Sequence, residues 1–375
     1  MTGTIHAVDI AHIARSFPLV ARSHPPCPPL DVRIAEIADL TRAAEGPDGA
    51  PALRAAAHNK AALIASDAGL PGLARDLCWY HHLSYAPCTR PWTAQHARLA
   101  LEPLVNLARL HIRDGHPSAA VDLLDALYRG ARTGTDTLID GRLVLFADLT
   151  STPHDHQEVC RWLWSVLLAD GLRALTTAGG WDQALAHAQR HRGVGRRLLD
   201  GRQTAILARL SSGSLTDAAV AAEMLDDAVI IEPWEHVVAA ALRVLVQSAA
   251  HRSADDDALL DLVDQYLNFH TPPTRTVFST RLGLAVVDLA DAAAHPCSVR
   301  AAGHLIRHAI TTGDGYAARD VLAHPIHDHL PPREAASLTS TRAAAGLDGS
   351  AAASDLQHRL DLALRPERPP VPTRG

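Results

Sequence analysis

The chain has 375 residues, of which 47% are hydrophobic and only 4% are aromatic. Leucine, alanine and valine must therefore build the core, and the shortage of strand-favouring residues indicates an all-α protein. The net charge of −6 and the pI near 6.4 argue against a general nucleic-acid binder, which usually carries a basic excess.

Motif content removes several classes of enzyme. Lys60 is the one lysine, so the chain has no P-loop, and a Schiff-base mechanism has a single candidate residue. The arginine bias is typical of a GC-rich, actinobacterial genome. Five cysteines without a C-x-x-C spacing indicate reduced thiols in a cytoplasmic protein. Since we find neither a signal-peptide pattern nor about 18 consecutive apolar residues, we expect no membrane span.

The amino-terminal residues 1–29 are predicted to form a short amphipathic helix followed by a proline-rich strap. Ile13 and Phe17 are expected on the apolar face of that helix. Four prolines between positions 25 and 29 exclude a helix over those positions. Helical periodicity begins near residue 30 and continues to residue 364. The proline- and arginine-rich tail, residues 365–375, is expected to be disordered.

A recurring pattern organises the helical region. An apolar helix runs into a glycine, and an alanine follows five residues later near the start of the next helix. The pairs are Gly69/Ala74, Gly115/Ala120, Gly179/Ala184, Gly213/Ala218, Gly313/Ala318 and Gly346/Ala351. Two of the glycine spacings, 213 − 179 = 34 and 346 − 313 = 33, are close to the 34-residue tetratricopeptide period.

The stretch from Ala178 to Leu185 closely resembles the turn into the second helix of a tetratricopeptide repeat. The chain is also similar to uncharacterised actinobacterial tetratricopeptide-like proteins, some of which belong to regulatory or specialised-metabolite systems. This resemblance implies a right-handed α-solenoid of degenerate helix-turn-helix repeats over residues 30–364. Such arrays present a concave groove, lined by the first helix of each pair, that commonly takes peptides.

An irregular insertion interrupts the repeats near residues 130–157. It contains a strand-like piece, residues 143–146, and ends at Ser151-Thr152-Pro153. A loop of this length is often functional, and a disordered surface loop is the alternative interpretation.

The most concentrated polar segment, residues 191–203, combines glycines with several arginines, and Glu232-Pro233-Trp234-Glu235 has the residues of a helix start. Arginines can bind carboxylate or phosphate in a bidentate manner, and tryptophans anchor many interfaces. We therefore predict a site for a partner or for an acidic ligand. The candidate residues are Trp164, Arg173, Arg196, Arg197, Asp200, Arg202, Gln203, Glu232, Trp234 and Glu235. Solvated inter-helix loops and core tryptophans are the alternative interpretation.

The 23 histidines form local clusters, of which His324-Pro-Ile-His327-Asp328-His329 is the densest. Zinc requires three or four ligands that converge on one point, and these offsets diverge on a helix. No H-E-x-x-H, G-x-S-x-G, papain-like or kinase motif is present. We therefore expect no metal and no cofactor, and we favour binding over catalysis.

The leading hypothesis is a cytoplasmic binding scaffold that holds a peptide or a partner protein in its groove, without nucleic-acid or membrane partners. The alternative is a helical enzyme or small-molecule sensor, in which arginine, tryptophan and aspartate line a pocket for an acidic ligand.

Overall fold

A computed structural model describes residues 10–45, 51–85, 90–251, 255–349 and 352–365. Within these residues the chain is all-α, with one small hairpin. The helices of the first half are α1 (Ile10–Ser16), α2 (Leu30–Ala43), α3 (Pro51–Asp67), α4 (Pro71–Leu83), α5 (Ala94–Arg113), α6 (Pro117–Thr133), α7 (Pro153–Thr177) and α8 (Trp181–Arg190). Those of the second half are α9 (Asp200–Ser211), α10 (Leu215–Asp226), α11 (Pro233–His251), α12 (Asp256–Leu267), α13 (Thr276–Ala292), α14 (Cys297–Thr312), α15 (Gly315–Leu322), α16 (Pro332–Ala344) and α17 (Ala353–Ala363). Short 3-10 helices lie at Pro273–Arg275 and Pro325–His329.

The glycine–alanine pattern marks helix boundaries throughout the described chain. All six glycines have positive φ values, between +58° and +78°, which is the left-handed conformation that ends a helix at low cost in glycine. In five of the pairs the following alanine is buried, with at most 2% of its surface exposed. The sixth, Ala351, lies outside the described residues. Glycine therefore supplies the turn, and alanine permits close packing of the helix that follows.

The chain divides into two compact units, each built from discontinuous segments. Unit 1 runs from the first described residue to Cys27 and from Leu167 to Arg342. Unit 2 comprises Pro28–Val166 and the described residues from Ala343 onward. Each unit therefore contains a segment from the opposite end of the chain. The predicted tail beyond residue 365 and the residues before Ile10 lie outside the described residues.

In unit 2, helices α2 to α6 pack consecutively, as in an α-solenoid, and α5 also contacts α3. The last helix, α17, packs against α2 and α3. Its buried residues Leu356 and Leu360 repeat at i and i+4, so one apolar stripe faces its neighbours.

In unit 1, helices α8 to α15 also pack each against the next. Helices α9, α11, α13 and α15 form a row, because each contacts the next odd-numbered helix as well. Most residues of α13 are buried, which matches its continuous apolar run from Leu282 to Ala285 and beyond. Gly283 lets α13 approach α12, since a Cβ there would lie 2.1 Å from the Tyr266 hydroxyl.

The predicted insertion contains an antiparallel hairpin, β1 (Thr137–Ile139) paired with β2 (Arg142–Val144). Its inner face carries Ile139, Val144 and the following Phe146, all buried. The Phe146 ring lies over Gly130 of α6, where a Cβ would come within 2.7 Å of it. The predicted strand-like piece, residues 143–146, overlaps β2 only at residues 143 and 144. The irregular stretch is shorter than the predicted 130–157, because α6 ends at Thr133 and α7 begins at Pro153. No helix in the described part of the chain is long and apolar enough to cross a membrane.

Candidate functional site

Nine of the ten predicted site residues lie in unit 1, and Trp164 lies in unit 2. Trp164 is half-buried on α7, and Arg173 is exposed on the same helix. The others lie on α9, on the first turn of α11 or in the loops that precede these helices. The structure therefore brings together the two predicted groups, residues 196–203 and residues 232–235, although they are more than 25 positions apart.

Arg197 links these groups through two carboxylates. Its Nε donates to Oε1 of the buried Glu235 at 2.9 Å, and one Nη donates to Glu232 Oε1 at 2.9 Å. Hydrogen bonds to Glu235 raise the pKa of Arg197, and the Trp234 indole N–H, which donates at 2.9 Å, lowers the pKa of Glu232. The second Glu235 oxygen accepts the Ile231 N–H at 2.7 Å.

Arg202 and Arg196 are bound in the same way. The buried Arg202 guanidinium donates to the carbonyls of Met224 and Gly195 at 2.8 and 3.0 Å, and to Asp227 Oδ2 at 3.3 Å. Arg196 donates to the other Asp227 oxygen at 2.6 Å. These guanidinium groups are therefore paired with carboxylates of the protein itself, and the pocket for an acidic ligand remains a prediction.

Backbone contacts in this region explain why position 201 is a glycine. The loop before α9 pairs with the loop before α11 through a parallel bridge between Arg197 and Val229. A Cβ on Gly201 would lie 2.2 Å from the Gly193 carbonyl oxygen. The close backbone approach that Gly201 allows is thus a contact between two parts of the chain within unit 1.

Asp200 has a different kind of partner. Its Oδ2 accepts a 2.5 Å hydrogen bond from Arg22, which lies 178 positions earlier in the chain. Burial raises the pKa of Asp200, and the Arg22 charge opposes that shift. The Oδ1 atom is buried without a hydrogen-bond partner. Arg22 therefore offsets part of the cost of burying an ionised carboxylate at the start of α9.

Arg22 belongs to a longer docked piece, residues 10–27, which we call the N-terminal segment. It begins with α1, which packs against α9 and α13. Its buried side chains Ile13, Ala14, Phe17, Leu19 and Ala21 are part of the same apolar cluster as residues of α9, α11 and α13. The surface of α9, α13 and α15 that contacts the segment is called the docking face below.

The extended end of the segment is held through its main chain. The Cys27 N–H donates to Asp314 Oδ2 at 2.8 Å, and the Cys27 carbonyl accepts the Gly315 N–H at 2.8 Å. Asp314 also caps α15 through its other oxygen. The His24 N–H donates to the Thr274 carbonyl at 2.7 Å. Such contacts recognise an extended backbone and depend little on its side chains.

Leu19 shows how firmly the docked conformation is imposed. Its φ angle is +57°, in the left-handed region that residues other than glycine, asparagine and aspartate seldom adopt. Its side chain is nevertheless buried. Burial of this leucine therefore offsets the strain of its own backbone.

One cluster of possible metal ligands lies between α1, α13 and the residue that precedes the second 3-10 helix. His12, Asp288 and His324 each offer an atom within 4.8 Å of the others, with His324 Nε2 only 2.9 Å from Asp288 Oδ1. However, His324 Nδ1 accepts the Ile326 N–H at 3.2 Å. Its Nε2 atom faces Asp288 but is buried without a hydrogen-bond partner of suitable geometry. We therefore describe His324 and Asp288 as a close contact between a histidine and an aspartate.

Unit 2 contains a small cavity of about 250 Å³. Its wall includes the Asp140 carboxylate, which accepts a 2.9 Å hydrogen bond from the Trp79 indole and pairs with Arg75. This volume lies below the usual range for small-molecule sites, and the carboxylate is already neutralised.

The sequence prediction included Asp200 but missed its partner Arg22, and it missed Thr274 and Asp314 as well. The proline strap and the apolar spacing of Ile13 and Phe17 were visible, and they predicted the segment itself. Its position was not visible, because no local pattern records a contact across more than 170 residues.

Comparison with known proteins adds no family to this description. No protein-family model, no curated protein and no solved structure gives a significant match to the chain.

Proposed function

We propose that this chain is a cytoplasmic, tetratricopeptide-like binding protein whose docking face in unit 1 holds an extended segment of a partner protein. The observation that carries the proposal is that the face already holds such a segment, residues 10–27 of the same chain. Apolar anchors, one ion pair and main-chain hydrogen bonds together form the pattern by which grooves bind peptides.

The arginine cluster supports the alternative less well. A pocket for an acidic ligand needs guanidinium groups that remain available, and Arg197 and Arg202 are bound to Glu235, Glu232 and Asp227. These contacts fasten two loops of unit 1 to each other. We place the binding function on the docking face for this reason.

The test is a peptide-library selection against the full chain carrying Phe17→Asp and Arg22→Ala, called the opened variant. These changes put a charge on an apolar anchor and remove the ion pair, so the segment should leave the face. We expect enriched peptides whose binding is lost when Asp200→Lys is added, because this change reverses the charge that Arg22 contacts.

The matched control is Asp264→Lys, an exposed charge reversal on α12. It should leave peptide binding unchanged. Peptides that bind equally well with and without Asp200→Lys, or a folded opened variant that enriches no peptide, would contradict the proposal.

A further inference from the structure

We infer that the N-terminal segment is a displaceable internal competitor for the docking face, and that the partner is a basic protein segment with the same arrangement of groups. This inference rests on the proposed function and adds to it the chemistry of the partner and its regulation.

The segment is bound as a ligand rather than as a repeat helix. Helices α9 to α15 pack each against its sequence neighbour, whereas α1 contacts α9 and α13, which lie far from it in sequence. After α1 the chain has no regular secondary structure up to residue 29. Its extended end is held by the backbone contacts of His24 and Cys27. The helices of unit 1 therefore complete their pairing without it.

Charge complementarity specifies the occupant. Among the described residues, three carboxylates on or beside the docking face contact the segment. Asp200 pairs with Arg22, Asp288 lies 3.9 Å from His12, and Asp314 accepts the Cys27 N–H. The segment contributes cationic or hydrogen-bond-donating groups at each of these points. An acidic occupant would place like charges together, and a basic one is favoured.

Spacing along the segment defines the pattern that a partner must match. Ile13 lies on α1 and Phe17 is the first residue after it, and both side chains are buried. Arg22 follows Phe17 by five positions, and Cys27 follows Arg22 by five. The partner should therefore carry an apolar helical turn, an arginine after it, and an extended stretch whose N–H and C=O groups are available.

Two features favour release of the segment. Leu19 has a left-handed backbone conformation that it would lose on undocking. Ordering a segment of this length also costs conformational entropy, which opposes the burial of its apolar side chains. Its covalent connection gives it a high effective concentration, so a free partner must compete with it. Removal of the N-terminal segment should raise the apparent affinity for a partner. The expected factor is the inverse of the fraction of molecules whose docking face is open.

The experiment uses a fluorescently labelled peptide of residues 10–27 and measures its anisotropy with the full chain. We expect the opened variant to bind at least ~10-fold more tightly than the natural chain. A chain with the exposed Ser23 and Pro26 both changed to alanine is the matched control and should bind like the natural chain. A scrambled peptide should bind neither.

Equal affinity for the natural chain and the opened variant, or no binding to a folded opened variant, would overturn the inference. If the opened variant does not fold, a protease site inserted between Pro28 and Pro29 replaces it. After cleavage, excess unlabelled peptide should displace the cut segment, and a segment that cannot be displaced would also overturn the inference.

These outcomes separate the two proposals. Library peptides that bind the docking face equally in the natural chain and the opened variant would retain the binding function and reject the competitor. If the N-terminal segment can be displaced by its own peptide while no library peptide binds, the competitor would be retained and the binding function rejected.

Discussion

Each unit includes a segment from the other end of the chain. In unit 2 this segment is the helix α17, whereas in unit 1 it is one short helix followed by extended chain. Helix α17 packs along α2 and α3 through Leu356 and Leu360, as another helix of a stack would. The N-terminal segment crosses to α9, α13 and α15 and uses its backbone. The comparison separates a segment that completes an architecture from a segment that occupies a surface.

The attachment chemistry differs in the same sense. In unit 2, Arg33 donates to Asp67 at 2.5 Å and to the Ala345 carbonyl at 3.3 Å, and Arg113 donates to the other Asp67 oxygen at 2.7 Å. The Arg33 and Asp67 side chains are both almost completely buried. In unit 1, Arg22 is 45% exposed. We therefore expect α17 to detach only when unit 2 as a whole unfolds.

The largest effect should follow Asp67→Ala. It removes the carboxylate shared by two arginines, one of which is the buried Arg33, so we expect a loss of about 3–5 kcal/mol from the free energy of unfolding of unit 2. Chemical denaturation followed by circular dichroism measures it. Asp39→Ala, which removes an exposed partner of Arg42, is the control and should change stability by less than about 0.5 kcal/mol. Similar losses in both variants would contradict this account.

Phe17→Ala should weaken docking of the N-terminal segment by about 3 kcal/mol, because it leaves a cavity where a buried ring was. Hydrogen exchange should then accelerate in residues 10–27 while α13 stays protected. The companion variant is Leu360→Ala in unit 2, which should accelerate exchange in α2 and α3 as well as α17. If α13 exchanges as fast as the segment, the segment belongs to the cooperative core.

Acid should destabilise unit 2 through His81. Burial, with the nearby His58 and His82, lowers the pKa of His81 to about 3. The unfolded chain therefore binds a proton near pH 6.5 that the folded chain does not bind. The free energy of unfolding consequently falls as the pH drops below that value. The loss should reach roughly 2 kcal/mol at pH 5.

Denaturation of His81→Gln at pH 7 and pH 5 checks this assignment. The variant should lose the His81 contribution, while His58 and His82, whose pKa values are also lowered by burial, keep theirs. His154→Gln, at an exposed histidine, should leave the pH dependence unchanged. An unchanged pH slope in His81→Gln would place the effect elsewhere.

The smallest effect should follow Arg22→Ala, at about 1–2 kcal/mol of segment docking, because the pair is partly exposed to solvent. Since burial already raises the pKa of Asp200, loss of Arg22 should leave that carboxylate costly when ionised. Asp200→Asn in the same chain should recover most of the loss. A double-mutant cycle on segment exchange rates measures the coupling, and additive effects would show that the two groups act independently.

Local features of the sequence determined the helices and their turns. Gly179 and Gly213 terminate helices because a glycine adopts positive φ without steric cost, and this depends on no distant residue. The start of α11 at Pro233 followed from proline's fixed φ at the first helical position. The all-α class and the consecutive packing of helices within each unit were predicted correctly for this reason.

Only the tertiary structure decided which segment completes which unit and what each charged group faces. Arg197 and Arg202 could be recognised as a polar cluster, but their pairing with Glu235 and Asp227 depends on two loops that meet in space. The contact of Cys27 with Asp314 spans 287 positions. A long-range contact of this kind leaves no periodic signal, because it depends on the packing of all the helices between its two ends.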